Sequence, residues 1–175
     1  MQTPLVMTVI GADRPGIVEA LARLVAEHDG NWLDSRMCRL GGKFAGILRV
    51  HVPVAREAAL TEALRGLSQR GLIVVVHQDP VARPALQARL AKVELIGQDR
   101  PGIVRQISAA LAALGVNLEE LETECASAPM SGETLFRARA TLQLPEDCEL
   151  DALRRELEKI AADLLVEIDL QPLLP

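Results

Sequence analysis

The chain has 175 residues, 49% of them apolar but only three aromatic, Trp32, Phe44 and Phe136, so its core has to be built from Leu, Val, Ile and Ala. A formal net charge of -5 sets phosphate backbones against a negative body and argues against direct binding of DNA or RNA, which draws on a basic face. Cys38, Cys125 and Cys148 show no CxxC spacing, which argues for reduced thiols and against a disulfide framework or zinc site; with no basic-then-apolar leader after Met1 and no apolar run of roughly 18 residues, a soluble cytoplasmic protein without membrane contact is expected.

Self-similarity organises the chain. Gly11-Ala12-Asp13-Arg14-Pro15-Gly16-Ile17-Val18 returns 86 residues later as Gly97-Gln98-Asp99-Arg100-Pro101-Gly102-Ile103-Val104, with seven of eight positions identical. At the same offset Ile17, Leu21, Val25 and His28 fall on Ile103, Ile107, Leu111 and Leu114, and Asn31 falls on Asn117.

In chain order, the apolar run Leu5 to Ile10 predicts a first strand, which the Gly-x-Asp-Arg-Pro-Gly segment ends. Ile17, Leu21, Leu24 and Val25 predict a helix closing near Gly30. Two extended runs, 31–40 and 43–52, flank Gly41-Gly42 as a hairpin. Leu60, Leu64 and Leu67 mark a second helix, and Leu72 to His77 a last strand. Gln78 to Gln87, with Pro80 and Pro84, reads as a linker. The second copy follows the same order: a strand from Val93 to Ile96, a helix closing at Gly115, a strand in which Phe136, Ala138, Ala140, Leu142 and Leu144 alternate with polar residues, a helix through Leu150, Leu153, Leu157 and Ile160, and a strand from Leu164 to Leu170.

The fold class is therefore α+β, two ferredoxin-like βαββαβ domains in tandem, 1–78 and 90–175, joined by a linker at 79–89. If Phe136 corresponds to Phe44, the second hairpin is six residues longer, within Ser127 to Glu133. That extension is expected to project as a loop, a place where partner contacts are often carried.

The repeated loop has a local chemistry. Arg14 before proline is expected at the N-cap with Pro15 at N1, leaving Asp13 to accept from the first free N–H groups. Gly16 leaves the helix N-terminus open, so that a carboxylate or phosphate can approach. Asn31 and Asn117 open the second strands, where an amide close to that terminus would offer the donor and acceptor that an amino acid requires. The candidate ligand residues are thus Asp13, Arg14, Gly16, Ile17 and Asn31, and in the second copy Asp99, Arg100, Gly102, Ile103 and Asn117. A well-capped turn and a turn asparagine after glycine remain open as the plainer reading.

Asp-Arg-Pro-Gly-Ile-Val after a short strand, followed by an amphipathic helix and an Asn, resembles the ACT domain, a regulatory module whose members often bind amino acids. The tandem arrangement, with Asp34-Ser35-Arg36-Met37 before the Leu40-Gly41 turn, is similar to the family of glycine cleavage system transcriptional repressors. That resemblance implies no DNA-binding domain, no cofactor, a small amino-acid effector such as glycine, and output through contact with a DNA-binding activator; regulation of a metabolic enzyme stays open as the alternative partner. The same motif opens formyltetrahydrofolate deformylase, whose catalytic domain has no counterpart here.

The residues themselves give an enzyme little support. His28 lies on the apolar face of its helix and is replaced by Leu114 in the second copy, while His51 and His77 have no Ser, Cys or Asp constellation around them. Glu119, Glu120, Glu122 and Glu124 read as a solvated strand face. An RNA-binding sheet would need aromatics on its first strands, and those carry none. Sensing modules of this kind often work as pairs, so a homodimer is compatible with the sequence.

Overall fold

β1 (Gln2–Ala12) alternates as a sheet with one covered face must: Leu5, Met7 and Val9 are buried, while Val6, Thr8 and Ile10 point the other way. The computed structural model describes residues 1–79, 89–127 and 134–173, and the chain divides into two compact units, Met1–Pro84 and Ala85–Pro175.

In the first unit α1 (Ile17–Glu27) buries Ile17, Leu21 and Val25, one helical stripe at i, i+4, i+8. β2 (Asn31–Leu40) and β3 (Lys43–Pro53) form the hairpin around Gly41-Gly42, both at positive φ. α2 (Glu57–Gly66) adds Leu60 and Leu64, Leu67 follows in a 3-10 turn, and β4 (Leu72–Gln78) closes the unit. The strands are antiparallel in the order β2-β3-β1-β4, with both helices packed into one core on a single face.

The second unit repeats this with β5 (Arg89–Gln98), α3 (Ile103–Ala113), β6 (Asn117–Ser127), β7 (Thr134–Leu144), α4 (Leu150–Leu164) and β8 (Val166–Leu173), in the order β6-β7-β5-β8. This is the tandem ferredoxin-like α+β fold that the repeat implies. Phe44 pairs with Gly11 and Phe136 with Gly97, so the two phenylalanines do correspond. The two edge strands even share a register shift, between Trp32 and Asp34 and between Leu118 and Glu120. The expected extension at Ser127 to Glu133 and the expected linker at 79–89 fall mainly on 128–133 and 80–88, outside the described residues.

The first strands run longer than the expected Leu5 to Ile10 and Val93 to Ile96, and two helix ends differ from expectation. After α1 the left-handed residue is Asp29 (φ 57) and not Gly30; its counterpart after α3 is Gly115 (φ 66). The last strand starts at Val166 and not Leu164, because Leu164 continues the buried stripe of Leu153, Leu157 and Ala161 on α4. The chain then turns at Leu165, 66% exposed at φ 56, where the first unit has Gly71 at φ 75. A left-handed conformation disfavours a side chain by about 1–2 kcal/mol. Leu165→Gly should therefore stabilise the protein by about 1 kcal/mol after the larger unfolded-state entropy of glycine is subtracted, a change readable in urea unfolding; a destabilised variant would show that Leu165 has packing that its exposure conceals.

The helix-free faces of the two sheets have opposite character. In the first unit Ile10, Ile47, Ile73 and Val75 are exposed there, with Ile10 paired to Ile73 and Thr8 to both Ile47 and Val75. In the second the same places are held by Ile96, Arg139, Glu167 and Asp169, with Glu94 for Thr8, and ion pairs join Arg139 to Glu94 (3.4 Å) and Arg137 to Glu124 (2.9 Å). Among the described residues no helix is long and apolar enough to cross a membrane.

Candidate functional site: the exposed strand-to-helix corners

Each unit offers a corner where its first strand hands over to its first helix. The Asp13 N–H donates to Gly42 O (3.0 Å) and the Asp99 N–H to Thr134 O (2.9 Å), which ties the loops to the ends of the hairpins. Gly16 then takes φ 88, ψ 3 and Gly102 φ 95, ψ 0, the second central position of a type II turn with proline ahead of it. That turn makes Gly16 and Gly102 the N-caps, with no side-chain cap in either helix.

The expectation that Arg14 would occupy the N-cap and Asp13 accept from the helix is thus corrected. The turn places the chain reversal two residues later, and Asp13 instead holds Arg39 across the corner (Oδ2 to Nε, 2.7 Å). Arg14 donates to Arg70 O at 3.2 Å. The first helical bonds run from Ala20 to Gly16 and from Gln106 to Gly102, both 3.0 Å, so the N–H groups of Ile17, Val18 and Glu19, and of Ile103, Val104 and Arg105, precede the helical ladder. A Cβ on Gly16 or Gly102 would meet no atom within 4 Å, so the space beside both glycines is free.

The first glycine of the motif has another purpose. A Cβ on Gly11 would lie 2.7 Å from Gly71 O, and one on Gly97 2.7 Å from Val166 Cα. These glycines admit the neighbouring strand, not a ligand.

The asparagines are not beside the corners of their own units. Asn31 pairs with His51, eight residues along β3 from Lys43, the partner of Ala12. Asn117 pairs with Gln143, eight residues along β7 from Leu135, the partner of Gln98. Eight residues of strand span roughly 26 Å. The cause is topological: α1 and α3 run from the corner to the far end of the sheet, and β2 and β6 begin there. Within a unit, Asp13, Arg14, Gly16 and Ile17 form one group, as do Asp99, Arg100, Gly102 and Ile103, while Asn31 and Asn117 stand apart.

The corners also differ electrostatically. α1 carries Glu19 in its first turn, whereas α3 has no acidic residue there and places Arg105 at the matching position. Cys125, paired with Phe136, stands where Arg39 pairs with Phe44, so the counterpart of the Asp13–Arg39 pair is absent. Arg100 donates to Gln98 Oε1 at 3.2 Å. In its first turn α3 thus has a cation where α1 has an acid, which suits an anion at that helix N-terminus better. Elsewhere, His28 Nδ1 lies 2.8 Å from Leu24 O, an ordinary helix-end contact, and no described group of His, Cys, Asp and Glu could hold a metal ion.

The sequence profile of the ACT domain matches residues 3–77, the span of β1 to β4. The chain belongs to the ACT-domain family. Its second unit repeats the motif, the strand order and the register, so the protein is a tandem of ACT units. It is similar over 164 residues, at 26% identity, to the glycine cleavage system transcriptional repressor of Escherichia coli K12, covering 91% of this chain and 85% of that protein. It is 37% identical over 84 residues to a UPF0237 protein of Methanopyrus kandleri, 46% of this chain and 93% of that protein. Among solved structures, an unknown protein from Galdieria sulphuraria superposes with a TM-score of 0.85 at 30% identity, covering 99% of this chain and all of that one.

Proposed function

We propose that the protein is a non-enzymatic amino-acid sensor that regulates transcription by contacting a DNA-binding activator, with a small amino acid, glycine foremost, as its effector. The observation that carries this reading is the extent of the likeness to the Escherichia coli repressor: it covers 91% of this chain, both ACT units and not one borrowed module. The corners supply a chemistry for the effector, since a carboxylate is favoured by the leading N–H groups of α3, with Arg100 and Arg105 close in sequence to that terminus. The helix-free face of the first unit supplies a surface for output, because exposed Ile10, Ile47, Ile73 and Val75 form an apolar centre of the kind that protein contacts cover.

A thermal-shift screen of the twenty amino acids tests the sensor, because a ligand that binds only the folded state raises its melting temperature. Glycine or another small amino acid should raise it; no shift with any of the twenty would end the amino-acid reading. Arg105→Glu gives the second corner the acid that the first already has in Glu19, and should weaken the bound amino acid about threefold to tenfold in calorimetry by opposing its carboxylate. Equal affinity in that variant would move the site away from the α3 corner.

A further inference from the structure

The second ACT unit contains a cavity of about 220 Å³ between α3, β6 and the covered face of its sheet. Among the described residues every one in the lining is apolar except Ser108, and none is charged. The walls are Ile107 and Leu111 of α3, Leu118 and Leu121 of β6, and Ala138 and Ala140 of β7.

Comparison with the first unit shows why space is left. By register, Leu48 of the first unit corresponds to Ala140, Trp32 to Leu118 and Met37 to Thr123, and by the repeat offset Leu24 corresponds to Ala110. Leu48 is buried, and Trp32, Met37 and Leu24 pack against the first core. Four large side chains have thus given way to smaller ones, Ala140 and Leu118 among them in the cavity wall, while Ser35 and Gly46 correspond there to the larger Leu121 and Ala138. Left unfilled, such a space keeps apolar walls in contact with water, a cost that burial of an apolar group relieves.

We infer that this cavity is a binding site for an uncharged hydrocarbon group, a free small molecule or the tail of one, larger than benzene, which an engineered apolar cavity of about 150 Å³ accepts. The ligand enters between α3 and β6. Val104, Leu118 and Leu121, exposed at 43%, 36% and 45%, belong to both the lining and the surface, and β6 is an edge strand paired only to β7 and exposed along its length. Any polar head stays outside, because the walls offer no counter-charge. The inference is independent of the amino-acid reading, which concerns backbone N–H groups at the corner and not the space under the helix.

Toluene and 1-octanol are suitable probes, titrated into the full chain by calorimetry while methyl NMR follows Ile107, Leu118 and Leu121. The expected result is saturable one-to-one binding of at least one probe, with shifts at those methyls. Ala140→Leu, which restores the side chain that the first unit has as Leu48, should raise the melting temperature of the unliganded protein and weaken the probe at least tenfold. Should the variant fold poorly, the wild-type methyl shifts decide by themselves. Absence of saturable binding of both probes, shifts confined to the first unit, or a change of oligomeric state in Ala140→Leu showing that another copy fills the space would overturn the inference.

Discussion

Replacing Gly97 by valine is expected to destabilise the second ACT unit severely. The Cβ would stand 2.7 Å from Val166 Cα and 2.8 Å from Val166 Cβ, and a backbone atom cannot move aside as the end of a flexible side chain can. Relief requires β8 to leave β5, where Gly97 pairs with Val166 at the start of a ladder that continues to Leu90 and Leu173. Overpacking of this kind costs about 1–3 kcal/mol when side chains absorb it, and here a strand must absorb it, so a loss of more than about 3 kcal/mol is expected, a large part of the roughly 5–15 kcal/mol that holds a domain folded. Gly102→Ala is the control from the same motif. Its Cβ meets nothing within 4 Å, and only φ 95 opposes it, so about 1–2 kcal/mol should be lost. Urea unfolding followed by circular dichroism ranks the two, and a Gly97→Val protein as stable as Gly102→Ala would disprove the close-approach account.

The second large effect is expected on partner binding. Ile47→Asp and Ile73→Asp together place two carboxylates on the helix-free face of the first unit, at side chains 54% and 58% exposed. Aspartate in place of a strand isoleucine costs up to about 1 kcal/mol each, so the double variant should melt somewhat below the wild type and stay folded at the temperature of the binding assay. Its affinity for the proposed activator should fall at least tenfold, since burying an unpaired charge in an apolar contact costs more than the lost contact itself. The matched pair in the second unit, Arg139→Ala and Glu167→Ala, should change affinity little. Binding is measured with the activator captured by the wild-type protein from its source cells and then titrated against each variant. Wild-type affinity in the Ile47/Ile73 variant would place the contact elsewhere, with 128–133 next to be tested by shortening.

Much of this was legible in the residues. A shared octapeptide at a fixed offset revealed the duplication, and helical spacing named Ile17, Leu21, Val25, Ile103, Ile107 and Leu111, all buried. Alternation named Phe136, Ala138, Ala140, Leu142 and Leu144, buried as well. These are local signals: a helix or strand writes its own period, and a turn its own glycine, whatever surrounds it. The repeat also let each unit check the other.

What remained hidden depends on which strands lie side by side. The order β2-β3-β1-β4 puts Asn31 at the far end of the sheet from Asp13, although the two are only 18 positions apart. The run Leu72-Ile73-Val74-Val75 is apolar throughout, so nothing in it shows that Leu72 and Val74 enter the core while Ile73 and Val75 join Ile10 and Ile47 on the open face. Gly11 and Gly16 look alike in one motif, yet one is demanded by Gly71 across a strand pair and the other by its own φ. The space around Ala140 arises from volumes contributed by α3, β6 and β7, far apart in the chain, and no single segment records a sum taken over its neighbours.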